Sequence, residues 1–381
     1  MQELLNLFSS ITELNIKMVI MWVIGGVLIY LAIKREMEPT LLLPIGFGAI
    51  LMNFPGVVTY IDGVKYFGGI AEPLNELYHA GIANELFPLL LFIGIGAMID
   101  FGPLLGNPKL MIFGAAAQFG IFFTLCAASV FFPDIKDAAS ISIIGAADGP
   151  TSIVVANALG SNYIGAITVA AYSYMALVPI IQPPVIKLLT TKEERRIRMP
   201  YEQKSVSKLT KILFPIVISI VACIFAPSAG SLIGFLMFGN LIRECGVLDS
   251  ISETAQKVLA NLVTIFLGIT IAFNMHFTQF LAFETLLIMG LGLVAFIFDT
   301  AGGVLFAKLY NVIMKLLKKP LINPMIGAAG ISAFPMSGRI VHKMALEEDK
   351  GNFLLMHSIG VNVSGQIASV IAGALVLGFF S

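Results

Sequence analysis

Ile144-Gly-Ala-Ala-Asp148-Gly-Pro-Thr151 is the stretch on which the fold turns. It lies between two apolar runs, Pro108 to Phe132 and Tyr163 to Leu189, each long enough to span a bilayer. Gly149 and Pro150 interrupt any helix passing through and free backbone carbonyls beside a carboxylate. An exposed Asp-Gly-Pro turn is the plain alternative. The flanks are too apolar for that, and they favour a helix broken at membrane depth, where irregular backbone is tolerated only when it lines an enclosed cavity.

Working outward, the 381 residues are 57% hydrophobic and 12% charged, far from the balance of a soluble domain. Further apolar runs cover Lys17 to Ile33 and Phe353 to Phe380. The net charge is zero, which argues against nucleic acid as a partner. Cys126, Cys223 and Cys245 are widely spaced in or beside apolar segments and read as packing residues, not as disulfides or metal ligands. The N-terminus lacks the pattern of a cleaved signal, so the first span is expected to stay inserted. His79, His276, His342 and His357 have no metal-ligand spacing, and no nucleotide-binding loop of the Walker type occurs. Energy for transport must come from a gradient or a partner subunit.

The longest polar interruption, Thr190 to Lys211, carries Lys192, Arg195, Arg196, Arg198, Lys204, Lys208 and Lys211 and is expected in the cytoplasm. Lys34, Arg35, Lys109, Lys315, Lys318 and Lys319 are placed there too, and Asp62 to Glu85 then falls outside. On this trace Ala138 to Gly160 begins and ends outside, and Leu321 to Glu347 begins and ends inside. The two segments also resemble each other: Ile326-Gly-Ala-Ala329 repeats Ile144-Gly-Ala-Ala147 about 180 residues later. Ile45-Gly-Phe47 is echoed by Ile233-Gly-Phe235, and Gly94 by Gly268. The expectation is an all-α polytopic membrane protein with about ten transmembrane helices plus two re-entrant broken elements. They form two inverted repeats, 1–190 and 212–381, joined by the basic linker 191–211, as in secondary transporters.

Within the membrane, the carboxylate, hydroxyl and carbonyl oxygens around Asp148 suit a sodium ion or a proton. In the second broken element Asn323 and Gly327 share a helix face, and the glycine admits a close approach. Ser332 follows, Gly330 and Pro335 prevent a regular helix, and Arg339 can grip an anion with its planar fork or serve as an interfacial anchor. Asn323 can equally be a cap. Tyr172 and Tyr174 can offer a phenol to an ion or proton or simply pack. Asp100, Asp299, Asn362, Ser364 and Gln366 are further polar candidates.

Gly145-Ala-Ala-Asp-Gly-Pro-Thr151, Ala170-Ala-Tyr-Ser-Tyr-Met-Ala-Leu-Val-Pro179 and the run from Asn323-Pro through Gly-Ile-Ser-Ala-Phe-Pro335 together resemble the beta subunit of the sodium ion-translocating biotin-dependent decarboxylases. The resemblance extends from about Trp22 to the C-terminus. It implies a multi-pass subunit of the bacterial inner membrane that decarboxylates carboxybiotin and couples this to sodium export with consumption of a proton. It implies Asp148, Tyr174, Asn323, Gly327, Ser332 and Arg339 as functional residues. Asp148 and Asn323 would hold sodium, Ser332 with Tyr174 would form a second ion site or proton relay, and Arg339 would orient carboxybiotin. It further implies a carboxyltransferase alpha subunit, a biotin carrier protein, a small single-span gamma or delta subunit, and association with further copies of itself. Another subunit selects oxaloacetate, methylmalonyl-CoA or glutaconyl-CoA. The rival reading is a sodium- or proton-coupled secondary transporter in which Arg339 grips a small carboxylate.

Overall fold

The computed structural model describes residues 14–56, 58–61, 64–67, 70–200, 206–225, 227 and 230–380. Asp62 of the expected outer stretch and Lys204 of the basic linker lie outside them. In chain order the first principal helices are α1 (Ile16–Lys34), α2 (Pro39–Met52), α3 (Ala71–Leu77), α4 (Leu86–Met98), α5 (Pro108–Phe131), α6 (Ile135–Ser142), α7 (Gly149–Ala158) and α8 (Ile164–Leu189). The second half contributes α9 (Lys208–Phe225), α10 (Gly230–Glu244), α11 (Asp249–Met275), α12 (Phe283–Leu316), α13 (Met325–Ala328), α14 (Met336–Glu348) and α15 (Leu355–Phe380).

These segments are helical because apolar side chains leave the backbone no water to bond, so each peptide group must be satisfied within its own helix. Among the described residues, α1, α5, α8, α11, α12 and α15 are each long and apolar enough to cross a membrane. A seventh span arises if Ala71–Ala83 and α4, bent by 57°, count as one. The bend falls where a π-helical turn, Tyr78–Ala83, meets Glu85 in the left-handed region at φ 65°. α2 with 14 residues and α10 with 15 are shorter. The chain is not purely helical. β1 (Val58–Ile61) and β2 (Val64–Phe67) pair antiparallel in the expected outer stretch, a hairpin too short to stand out from its apolar neighbours in sequence. Tyr66 pins it by stacking on Phe273 at 5.4 Å and accepting a hydrogen bond from Gln279 at 3.0 Å.

The helices pack in two layers. One runs in the order α1, α2, α11, α4, α10, α9, and the other in the order α8, α12, α5, α15. The broken elements lie against the second layer, with α7 between α8 and α15 and α14 packed on the same two helices. Small residues set the closest crossings. A Cβ on Gly96 of α4 would collide with the Leu236 carbonyl of α10, and one on Gly239 would meet the Ile93 carbonyl. Asparagines tie the same layer together: Asn240 donates to the Ile99 carbonyl at 2.8 Å just past α4, and Asn53 donates to the Met275 carbonyl at 2.8 Å at the end of α11.

The outer faces are apolar and exposed, as at Val23, Val130, Phe131 and Ile224, which is the surface lipid would cover. Cys126 and Cys223 are exposed there as well, which corrects their reading as packing residues. Gly96→Ala is expected to lower the melting temperature of the purified chain. A Cβ pressed into backbone costs about 1–3 kcal/mol, whereas Gly234→Ala, which meets nothing within 4 Å, should be neutral or stabilising. Equal melting temperatures for the two variants would contradict this packing.

Candidate functional site

The first broken element consists of α6, a 3-10 turn over Ile143–Ala146, and α7. Ala147 turns the chain in the left-handed region at φ 53°, and Asp148 then stands extended as the N-cap of α7. Pro150 occupies the first turn of α7, where no N–H is required. Asp148 is only 3% exposed, so the exposed-turn alternative is overturned. Its Oδ2 accepts hydrogen bonds from Thr151 Oγ1 at 2.8 Å, Ser369 Oγ at 2.9 Å and Gln366 Nε2 at 3.0 Å. Oδ1 accepts only a long bond, 3.4 Å, from the Thr151 N–H. One carboxylate oxygen is therefore saturated and the other retains acceptor capacity.

The second broken element consists of α13, an irregular stretch, and α14. Ser332 joins the two breaks: its N–H donates to the Ala146 carbonyl at 3.1 Å. Its hydroxyl is buried and has no partner among the described residues. Side-chain amides from the long helices satisfy the carbonyls left free. Gln182 donates to the Ala328 carbonyl at 2.7 Å and Asn362 to the Ile331 carbonyl at 2.7 Å.

A cavity of about 330 Å³ separates the breaks from α2, α4 and α11. Asp148, Ser332, Tyr172 and Gln366 are buried lining residues, while Arg339 is an exposed one. Among the described residues Arg339 forms no ion pair, although Glu38 of the same lining lies within range of its charge. The Tyr172 hydroxyl is buried without a partner among the described residues, and its ring lies against Gly149, where a Cβ would stand 2.5 Å away.

Of the six residues singled out in sequence, Asp148, Ser332 and Arg339 thus share one cavity. The other three do not line it. Tyr174 points away, its hydroxyl donating to the Met289 carbonyl of α12. Gly327 packs on α12, where a Cβ would collide with the Gly303 carbonyl. Asn323 donates to the carbonyls of Arg195 at 2.8 Å and Ile197 at 3.0 Å, while its Oδ1 accepts from the Met325 N–H at 3.1 Å. Thr151, Ser369 and Glu38 were not singled out. The signals were a threonine three residues after an N-cap and a serine three after Gln366 on one helix face.

Asn323 fastens a strap formed by the start of the linker. Arg195 pairs with Glu348 at 2.6 Å and Arg198 with Asp349 at 2.7 Å, both at the end of α14. Asn352 donates to the Arg195 carbonyl at 3.0 Å. The Arg198 hydrogen bond holds the Asp349 carboxyl at about 2. That pair is present above the ordinary carboxylate range and is lost only as pH falls through this value. Asn323→Ala is expected to raise hydrogen exchange of the 190–199 backbone about tenfold or more, from two lost hydrogen bonds of about 1 kcal/mol each. Unchanged exchange would show that Asn323 does not hold the strap.

A family model described as the Na+-transporting oxaloacetate decarboxylase beta subunit matches residues 17–380. The chain is 45% identical over 399 residues to the methylmalonyl-CoA decarboxylase subunit beta of Propionigenium modestum, with 100% of both chains covered. It is 48% identical to the glutaconyl-CoA decarboxylase subunit beta of Acidaminococcus fermentans, with 94% of this chain and 92% of that one covered. It is 43% identical to the oxaloacetate decarboxylase beta chain of Haemophilus ducreyi, covering 100% of this chain and 99% of the other. With two linked helix breaks around a buried carboxylate and a match spanning nearly its whole length, the chain belongs to the family of Na+-transporting decarboxylase beta subunits.

Proposed function

We propose that this chain decarboxylates carboxybiotin delivered by a biotin carrier protein and couples that step to sodium export across the inner membrane. The observation that carries the ion site is the buried Asp148 carboxylate, whose Oδ1 keeps acceptor capacity in a cavity also lined by the unpartnered Ser332 hydroxyl. Carboxylate and hydroxyl oxygens replace part of the hydration shell of a hard cation. The Tyr172 hydroxyl is a third candidate oxygen. Tyr174, Gly327 and Asn323 position this site by fixing α8, α13 and the strap.

At the rim, Arg339 holds the carboxylate of carboxybiotin in its planar fork. Sodium arriving at Asp148 displaces a proton from it. The ureido nitrogen of carboxybiotin takes up that proton, its bond to the carboxylate carbon breaks, and carbon dioxide leaves. Removal of water from the carboxylate eases this step.

The packing orders support two inverted repeats, 1–190 and 212–381, linked by 191–211. Exchanging α1 with α9, α2 with α10 and α4 with α11 reverses the first layer onto itself, and exchanging α8 with α15 and α12 with α5 does the same for the second. Asn53 and Asn240 play matching parts under this exchange, each donating to a carbonyl at the end of a helix of the other half, and Gln182 and Gln366 each reach the opposite broken element. The reading gives ten crossings, with the broken elements re-entrant from opposite sides. A carboxyltransferase alpha subunit and the carrier would meet the basic cytoplasmic face, alongside a small single-span subunit and further copies of this chain.

In the reconstituted decarboxylase, Asp148→Asn is expected to abolish both sodium uptake and sodium-dependent release of carbon dioxide. Arg339→Ala should raise the carrier concentration for half-maximal rate at least about tenfold, the factor for 1.4 kcal/mol, with a smaller change in sodium dependence. Sodium-coupled turnover surviving in Asp148→Asn, or equal losses of both affinities in Arg339→Ala, would contradict the assignment. Uptake of a small carboxylate by this chain alone would favour the transporter reading instead.

A further inference from the structure

We propose that sodium leaves the Asp148 cavity along a polar seam between α8 and α11 into a second cavity at the other end of these helices. This rests on the reading of Asp148 as the sodium site. The second cavity has a volume of about 420 Å³, and Asn162, Gly165, Asn274, Gln279 and Glu284 are among its lining residues. It lies at the start of α8 and the end of α11, whereas Tyr172 of α8 and Leu267 of α11 line the first cavity further along the same helices. Gly165 and Tyr172 are seven residues apart, so the closed layer between the cavities is about 10 Å thick.

That layer is not uniformly apolar. Leu267, Thr270 and Asn274 succeed one another at intervals of three and four and therefore share a face of α11. Leu267 lines the first cavity and Asn274 the second, which leaves Thr270 between them. Thr270 is fully buried, and its hydroxyl has no hydrogen-bond partner among the described residues. The same holds for the Tyr172 hydroxyl on the inner side of the layer, while Asn274 on its outer side shares a side-chain hydrogen bond with Tyr78.

Two hydroxyls unpaired among the described residues, and then a carboxamide, thus follow one another from the Asp148 cavity to the second one. Buried polar groups are almost always paired, so such a series needs a reason. Thr168, on the facing stretch of α8, adds a hydroxyl oxygen that donates to the Ile164 carbonyl at 2.7 Å and keeps its lone pairs. The two helices touch here: a Cβ on Gly165 would stand 2.5 Å from Asn274 Oδ1. Hydroxyl and carboxamide oxygens suit a desolvated sodium ion passing stepwise.

The second cavity has the right sign of charge to receive a cation. Glu284 lines it, and the charges of Glu284 and Asp137 both act on Tyr163 in the same wall. On the sidedness set by the positive-inside rule, this cavity opens outside, opposite the Arg339 rim.

The test uses the complete decarboxylase complex reconstituted with its cytoplasmic face outward, with Cys126, Cys223 and Cys245 of this chain replaced by serine. Asn274→Cys is expected to react with a cationic thiol reagent supplied from the lumen only. Thr270→Cys should react from the lumen only during sodium-driven turnover. Thr270→Val should slow sodium uptake about fivefold, the factor for one lost hydrogen bond, and Glu284→Gln should raise the luminal sodium needed for half-inhibition without changing the cytoplasmic sodium dependence. Labelling of Asn274→Cys from the cytoplasmic side would overturn the proposal. So would a Thr270→Val variant that pumps at the parent rate while Thr270→Cys stays unlabelled. If Asp148→Asn still pumps sodium, the parent reading fails instead; loss of pumping in Asp148→Asn with an inert seam sinks this inference alone.

Discussion

A helix broken inside hydrocarbon leaves carbonyls and N–H groups that water cannot reach, and every feature of this fold near its centre answers that constraint. The chain breaks twice, at Ala147–Asp148 and between α13 and α14, and the two breaks are bonded to each other through Ser332 and Ala146. The remaining free groups are taken up by carboxamides carried on long, regular helices. Gln182 holds Ala328, Asn362 holds Ile331, and Gln366 holds Asp148 itself. The long helices are therefore the frame on which irregular backbone is kept in one geometry. Because that backbone is fixed, the oxygen atoms around Asp148 are held in place, which is the preorganisation an ion site requires.

The division of labour among the polar residues follows from which of their hydrogen-bonding positions are already filled. Asp148 Oδ2 is saturated, and Asn323 has both amide protons and its oxygen engaged. Asp148 Oδ1, the Ser332 hydroxyl and the Tyr172 hydroxyl have capacity left in the same cavity. Residues of the first kind hold the architecture, and those of the second kind are free to take a cation. Arg339 differs from both, being exposed and unpaired among the described residues, a position from which it can meet a large anionic group arriving from water.

Much of this was legible in the amino-acid order. Gly149-Pro150 and Gly330 with Pro335 mark the breaks because neither residue type continues a helix, and the long apolar runs mark the regular spans. The similarity of the two broken segments marked them as a pair. The choice between Tyr172 and Tyr174 was not legible, since residues two apart point about 200° away from each other on a helix and only the neighbours decide which faces the cavity. For Asn323 the local capping alternative was legible, and its Oδ1 does accept from the Met325 N–H, but its other partners are backbone carbonyls more than a hundred residues earlier and carry no side-chain signature. The short strand pair Val58–Ile61 and Val64–Phe67 escaped because strands of four residues are indistinguishable from apolar loop. The polar seam of Thr270 and Asn274 escaped because single polar residues on a long apolar helix acquire meaning only when cavities are found at both ends.

The account stands or falls on whether a cation sits between Asp148 and Ser332. Equilibrium binding of radioactive sodium to the purified chain, free of its partner subunits, measures that directly. The account predicts saturable binding that is lost in Asp148→Asn, weakened in Ser332→Ala and retained in Asn323→Ala. Binding that survives in Asp148→Asn, or that disappears only in Asn323→Ala, would contradict it.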